Sequence, residues 1–118
     1  MLLKLLRNNA DIIKDVVIKK FRKEKSSYEL IATLYLQDGS LIHIREYLFS
    51  NGGRKYIYHW QKDNGKFIGR WDNAPHWHSV NTFPDHFHDG HSKNVVASTI
   101  KDIHSVIKYI RSLKQKVL

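Results

Sequence analysis

The first 25 residues change from helical spacing of apolar side chains to the alternation that is typical of a strand. Leucines at positions 2, 3, 5 and 6 recur at helical spacing and predict an N-terminal helix. The β-branched run 16–18 and the apolar–polar alternation after it favour a strand over residues 15–24. The apolar positions between Ile12 and Phe21 also fit one face of a helix, so both interpretations of residues 12–25 stay open.

Four apolar segments separated by short turn sequences follow. Residues 30–36, 41–49, 55–61 and 67–72 read LIATLYL, LIHIREYLF, KYIYHWQ and FIGRWD. The sequences between them are QDGS, SNGGR and KDNGK, in which glycine accepts the backbone conformation of a tight hairpin turn. Connections this short join antiparallel neighbours, so the pattern predicts a β-meander of about five strands.

The segment KYIYHWQ places aromatic and imidazole side chains on opposite faces of its strand. Tyr56, Tyr58 and Trp60 share one face, whereas Ile57 and His59 share the other. A row of rings at this spacing is more typical of core packing, although Tyr58 and Trp60 are also candidates for stacking against nucleic-acid bases. His59 fits a buried imidazole as well as it fits a site residue.

No periodicity is visible between residues 73 and 97. A connection of this length without structure of its own is uncommon in a small domain and is usually functional or mobile.

Ser98 or Thr99 then caps a final helix, whose apolar stripe is formed by Ile100, Ile103, Ile107 and Ile110. The pattern predicts one α+β domain over residues 1–118: an antiparallel meander, an N-terminal helix, a C-terminal helix and a long histidine-rich loop.

The positive charge is concentrated at the two ends of the chain. The net charge is +9, and residues 1–25 and 101–118 carry all of the excess. If these ends lie side by side, they form a basic surface suited to a phosphate backbone or an acidic protein; solvated surface lysines are the alternative. The candidate nucleic-acid contacts are Lys19, Lys20, Arg45 and Arg111, together with the rings of Tyr58 and Trp60.

Composition excludes several classes of protein. The chain has no cysteine, so disulfides, thiolate metal sites and a cysteine nucleophile are excluded. No apolar run approaches the roughly 20 residues that span a bilayer, and the first residues lack the pattern of a signal peptide. We therefore expect a cytoplasmic protein without membrane contact.

Five of the eight histidines lie between residues 76 and 91. Imidazoles beside a phosphodiester can deprotonate a ribose 2′-hydroxyl and protonate the leaving oxygen, while an arginine stabilises the phosphoryl oxygens. This chemistry describes a metal-independent ribonuclease. Its candidate catalytic residues are His76, His86 and His88 as acid–base groups, Arg70 for the phosphate and Asp72 to orient an imidazole.

Two other interpretations of the histidine segment are open. His-x-His on an extended chain points both rings to one side, so zinc or another divalent metal ion is an alternative cofactor. The candidate ligands are His76, His78, His86 and His88, with Asp72, Asp85 or Asp89 completing the shell. In the third interpretation the rings pin a long loop to the sheet by packing and hydrogen bonds, with no chemistry.

Three segments resemble a known family of proteins. HIREYLF, YIYHWQKDNGKFIGRWDNAPH and FPDHFH closely resemble the TumE-type toxins of prokaryotic toxin–antitoxin modules, in the same order and over roughly residues 30–110. The chain departs from the family pattern where Trp77 separates two histidines, and at Asp85, where histidine is common. The matching positions are Tyr58, His59, Trp60, Arg70, Trp71, Asp72, Asn73, Pro75, His76, Phe83, Pro84, His86 and His88.

The resemblance implies a small toxin encoded beside an antitoxin that carries a DNA-binding domain. The basic ends and the histidines suggest that such a toxin attacks RNA. The alternatives are a non-catalytic module that binds nucleic acid or the antitoxin, and a histidine-ligated, metal-dependent hydrolase. A homodimer is compatible with the sequence.

Overall fold

A seven-stranded antiparallel sheet with two helices forms the fold. The computed structural model describes residues 2–115. The strands lie side by side in the order of the sequence, so the predicted α+β class and the meander are confirmed. The elements are α1 (Leu2–Asn8), β1 (Ile13–Glu24), β2 (Ser27–Leu36), β3 (Leu41–Leu48), β4 (Arg54–Gln61), β5 (Phe67–Asp72), β6 (His86–Asp89), β7 (Val95–Ala97) and α2 (Ile103–Gln115).

The sheet is larger than the five predicted strands because the segment after β5 is not structureless. Within residues 73–97, β6 pairs with β5, and β7 pairs with β6. These strands have only four and three residues, which is too short for an apolar alternation to be visible. The histidine-rich loop is therefore shorter than predicted and covers residues 73–85. The strand predicted over residues 15–24 is confirmed as part of β1.

The final helix begins later than predicted. The pattern predicts a cap at Ser98 or Thr99, whereas α2 begins at Ile103. The Oδ1 atom of Asp102 accepts a hydrogen bond from the backbone N–H of Ser105 at 2.8 Å, which makes Asp102 the capping residue. The hydroxyl oxygen of Ser98 accepts only a local bond from the backbone N–H of Ile100.

Both helices pack against the sheet face that carries the aromatic row of β4. Tyr56, Tyr58 and Trp60 are buried there, as core packing of this row predicts. Tyr109 of α2 meets the rings of Trp71 and Phe87 edge-on. The helices contribute six buried residues to the same cluster: Leu2, Leu5, Ile103, Val106, Ile107 and Ile110.

Two glycines are required by their surroundings. Gly39, in the QDGS turn between β2 and β3, has a φ of +88°, which a side chain disfavours. Gly69 lies beneath the ring of Phe87, and a Cβ atom there would stand 2.8 Å from the ring carbon Cε1. The absence of that Cβ lets Phe87 close over β5 and stack on Trp71 with ring centroids 4.5 Å apart.

The opposite face of the sheet carries a row of polar side chains. The ladder pairs Thr33 with His43, His43 with His59, His59 with Arg70, and Arg70 with His88. Residues directly opposite each other in an antiparallel ladder project to the same face. One row of five polar side chains therefore crosses strands β2 to β6, on the face away from the helices.

Candidate functional site

A groove of about 470 Å³ follows this polar row. Val17 pairs with Thr33 of the polar row, so Lys19, two residues later, lies on the same face, at a bulge of β1 between Ile18 and Lys20. Strands β1 to β5 all contribute to the lining, so the sheet itself positions the groove. Its polar side chains are Lys19, Thr33, His43, Arg45, His59, Gln61 and Arg70.

Hydrogen bonds orient both imidazoles of the groove. Arg70 donates from Nε to Nδ1 of His59 at 3.2 Å, so a neutral His59 carries its proton on Nε2. The hydroxyl of Thr33 lies 3.2 Å from Nδ1 of His43. The two rings are 6.2 Å apart between centroids and nearly parallel, at 22°. The groove that both rings line also contains the cations Lys19, Arg45 and Arg70.

The surroundings favour the neutral form of both rings. Partial burial and then the charges of Lys19 and Arg45 lower the pKa of His43 below its ordinary value of 6.5. Partial burial and then the charge of Arg70 lower the pKa of His59 in the same way. At neutral pH both imidazoles are therefore uncharged, and the unprotonated nitrogen of His43 is able to accept a proton.

The lowered pKa of His43 predicts a contribution to the pH dependence of stability. Below pH 6.5 the unfolded chain binds a proton at His43 that the folded chain does not bind, so the folded state loses stability as the pH falls. We expect the decrease in Tm between pH 7.5 and 5.5 to be smaller in His43→Asn than in the natural protein. Replacement of His104, which is exposed on α2, is the matched control. An unchanged pH dependence in His43→Asn would contradict the environment described for this ring.

A second cluster lies beside the groove and is buried. Asp72 of β5 is paired with His86 of β6, and His88 follows two residues later on the same face. Nε2 of His86 is 3.0 Å from Oδ1 of Asp72, and Nε2 of His88 is 3.3 Å from Oδ2. The two Nε2 atoms are 3.1 Å apart. These three catalytic candidates therefore meet in one place.

Loop 73–85 covers this cluster and is anchored at both ends. Asn73 donates to the carbonyl of Arg54 and accepts from the backbone N–H of Tyr56, while Asp85 accepts from the Tyr56 hydroxyl at 2.8 Å. Between these anchors, the ring of Trp77 meets the imidazole of His88 edge-on at 6.0 Å and lies tilted against that of His86 at 6.4 Å. As a result, all three members of the cluster are buried.

The other histidines of the segment lie apart from the buried cluster. His76 is exposed and borders a different pocket with Arg54 and Phe83. His78 stacks on Phe83, and His91 accepts a bond from the backbone N–H of Lys93. Of the five histidines in this segment, His86 and His88 therefore meet in the buried cluster, and the other three lie outside it. Asp85 and Asp89 also lie outside the buried group of three.

Tyr58 and Trp60 do not offer stacking surfaces. Both are buried in the core, because the aromatic face of β4 is the one that the helices cover. The hydroxyl of Tyr58 donates to the buried carboxylate of Glu46 at 2.6 Å, and burial and Glu46 together raise the pKa of Tyr58. The indole of Trp60 donates to the hydroxyl of Ser40. The prediction that Tyr58 and Trp60 contact nucleic acid is therefore wrong, and both side chains belong to the hydrophobic core.

The predicted basic contacts divide between the groove and the remaining surface. Lys19 and Arg45 line the groove, whereas Lys20 pairs with Glu29 at 3.0 Å. Arg111 donates to both carboxylate oxygens of Asp11 and so ties α2 to the turn after α1. The two end segments of the chain meet at this ion pair, where the positive charge of Arg111 is neutralised. Residues 116–118, part of the basic C-terminal end, lie outside the described residues.

Comparison with known families decides the relationship. The family model described as toxin TumE matches residues 2–114. The chain belongs to the TumE toxin family. The resemblance noted in the sequence is thereby confirmed and extends to the N-terminal residues. Membership of TumE indicates a toxin of a toxin–antitoxin module, with an antitoxin as its partner.

Searches of curated proteins and of solved structures gave no match. Within residues 2–115, no helix is long and apolar enough to cross a membrane.

The sequence pattern does not single out His43, and it does not show that His59 lines a groove with it. The signal that finds them is the register of the β3–β4 hairpin. The turn sequence between LIHIREYLF and KYIYHWQ sets which residues of the two strands stand opposite each other, and that register pairs His43 with His59. Both residues then fall on the polar face, opposite the aromatic row.

Proposed function

We propose that this toxin binds single-stranded RNA in the groove of its polar sheet face and cleaves it without a metal ion. One observation carries the proposal: two neutral imidazoles and three cations line a single groove. A phosphodiester bound in the groove would meet a base and several positive charges at once. The buried cluster of Asp72, His86 and His88 offers no such access to a polymer.

The proposed reaction is an internal transfer that forms a cyclic phosphate. His43 takes the proton of a ribose 2′-hydroxyl, and the 2′-oxygen forms a bond to phosphorus. The bond from phosphorus to the 5′-oxygen breaks, and that oxygen takes a proton from water. His43 then releases its proton to solvent. The products are a 2′,3′-cyclic phosphate and a 5′-hydroxyl end.

The cations of the groove stabilise the charge that develops on the phosphoryl oxygens. Arg70 is held by its bond to His59, so its guanidinium is oriented before RNA binds. Lys19 and Arg45 border the same space and suit the adjacent phosphates of the backbone. The neutral His59 presents its Nε2–H as a further donor. This assignment moves the acid–base role from His76, His86 and His88 to His43, and it keeps Arg70 in the phosphate role.

RNA oligonucleotides test this function directly. We expect the purified toxin to cut a single-stranded RNA in buffer with EDTA, and to leave the same sequence intact when every ribose carries a 2′-O-methyl group. Analysis of the fragment ends should show cyclic phosphates. Circular dichroism on the EDTA-treated protein confirms that it is folded. A strict requirement for added Mg²⁺, or cutting of the methylated strand, would contradict the proposed chemistry.

The same assay separates cleavage from binding alone. A non-catalytic module would bind RNA with an affinity that falls as salt increases, because phosphate contacts release counterions, and would leave it uncut at every protein concentration. The groove lysine and arginines favour RNA binding in either case. We further propose that the toxin acts in the cytoplasm and that its antitoxin carries a DNA-binding domain.

A further inference from the structure

The buried cluster of Asp72, His86 and His88 brings together atoms that repel one another unless a cation lies between them. Nδ1 of His86 is 2.9 Å from the carbonyl oxygen of Pro84, and Nδ1 of His88 is 2.7 Å from that of Ser92. A carbonyl oxygen only accepts, so both Nδ1 atoms carry a proton. In neutral rings, both Nε2 atoms then present lone pairs to each other and to the carboxylate.

Adding one proton to an Nε2 atom removes only part of the repulsion between these acceptor atoms. One proton on Nε2 of His86 can bridge to Asp72 or to His88, but the contact of 3.3 Å between His88 and Asp72 then still joins two acceptors. A second proton would place two cationic rings 3.1 Å apart at their Nε2 atoms, in a site where His86 is 1% exposed. A single divalent ion contacts all three ligand atoms at once.

The distances also fit such an ion. Zinc–nitrogen and zinc–oxygen bonds of about 2.0–2.1 Å in a tetrahedral site place neighbouring ligand atoms about 3.3 Å apart. In the cluster, Nε2 of His86 is 3.0 Å from Oδ1 of Asp72, Nε2 of His88 is 3.3 Å from Oδ2, and the two Nε2 atoms are 3.1 Å apart. One ligand atom from each of the three residues lies within 4.8 Å of the others. The backbone carbonyls that hold the two Nδ1–H groups are the outer-shell partners that ligating histidines usually have.

We propose that Asp72, His86 and His88 bind one divalent first-row transition metal ion beneath Trp77. Two imidazoles and one carboxylate suit Zn²⁺ or Fe²⁺ better than Mg²⁺ or Ca²⁺, which prefer oxygen ligands. The ligands stand on two adjacent strands, so the sheet holds the site in place before the ion binds. With three protein ligands, one position is left for water. This site is separate from the groove, and its existence does not depend on RNA cleavage.

Metal binding is tested on the full chain, without a histidine tag. Protein stripped with EDTA and dialysed is titrated with ZnCl₂ in a calorimeter, and we expect one ion per chain. Asp72→Asn and His88→Asn should each weaken binding by about 100-fold or more, since each changes a direct ligand and loss of an outer-shell partner alone costs about 10- to 100-fold. His78→Asn and His91→Asn, exposed histidines of the same segment, are the matched controls and should bind like the natural protein.

Co²⁺ gives a second measurement that needs no variant. We expect the natural protein with one equivalent of Co²⁺ to show visible absorption bands of a nitrogen- and oxygen-ligated site, and Zn²⁺ to remove them. This result supports the site even if a ligand variant fails to fold. The absence of saturable binding would overturn the proposal. Equal loss of binding in the His78 and His91 variants would overturn it in favour of surface chelation. Neither result depends on whether RNA is cut.

Discussion

Replacement of Arg70 by alanine is expected to lower the rate of RNA cleavage by roughly 100- to 1,000-fold, the usual cost of removing one donor that stabilises developing charge. Arg70 lines the groove and donates to His59, so the change removes a cation and frees the imidazole that it orients. Single-turnover cleavage of a single-stranded RNA oligonucleotide measures the rate. Growth after induction of the toxin in cells should recover in parallel.

The control for Arg70→Ala is Arg7→Ala, which removes the same charge from an exposed position of α1. We expect it to cleave RNA at the natural rate. Arg70→Lys keeps the charge but loses the planar group with its fixed donors, so an intermediate rate is expected. If a folded Arg70→Ala protein cuts RNA as fast as the natural protein, the groove is not the site of the reaction.

Replacement of Trp71 by alanine is expected to lower the free energy of unfolding by about 3–5 kcal/mol, as for other large aromatic residues of a core. Trp71 is 1% exposed. Its ring stacks on Phe87 at 4.5 Å, meets Tyr109 edge-on at 5.5 Å and lies 6.4 Å from Trp60. The cavity left by the indole would loosen the contact between β5, β6 and α2. Urea unfolding followed by circular dichroism measures the change.

Trp77→Ala is the matched control for Trp71→Ala, since it removes the same side chain from a position that is 37% exposed. Its cost should be clearly smaller, because much of the ring is already in contact with water. If the free energy of unfolding falls by the same amount in both variants, the packing of Trp71 does not contribute more to stability than that of Trp77. Together the two variants test whether the aromatic cluster around Trp71 or the loop that carries Trp77 contributes more to the stability of the β5–β6 part of the sheet.

The meander was predictable because turn sequences and side-chain alternation, which specify it, involve residues that are close together in the sequence. Asp38-Gly39 closes the β2–β3 hairpin as its turn sequence predicts, with the carboxylate of Asp38 accepting from the backbone N–H of Ser40. The alternation in KYIYHWQ correctly assigns Tyr58 to one face and His59 to the other. Strands β6 and β7 escaped prediction because their stability comes from pairing with β5 and from the contact of Phe87 with Trp71, not from their own few residues.

The candidate site was predictable in its residue types but not in its grouping. Asp72, His86 and His88 meet because β5 and β6 are neighbours, and sequence spacing does not show that pairing. His76 belongs to the same histidine segment, yet it lies on the loop and points to no shared site with them. His43 and Lys19 come from strands far from this segment, and only the folded sheet brings them to Arg70.

From its sequence, this protein is recognisable as a basic α+β chain of the TumE family with a hairpin meander and a concentration of imidazoles. Turn chemistry and side-chain alternation act between neighbouring residues, so they can be read along the chain. The folded sheet settles which imidazoles are buried, which face cations and which are exposed. These outcomes depend on which residues pair across strands, and burial and neighbouring charges then lower the pKa of His43 and of His59.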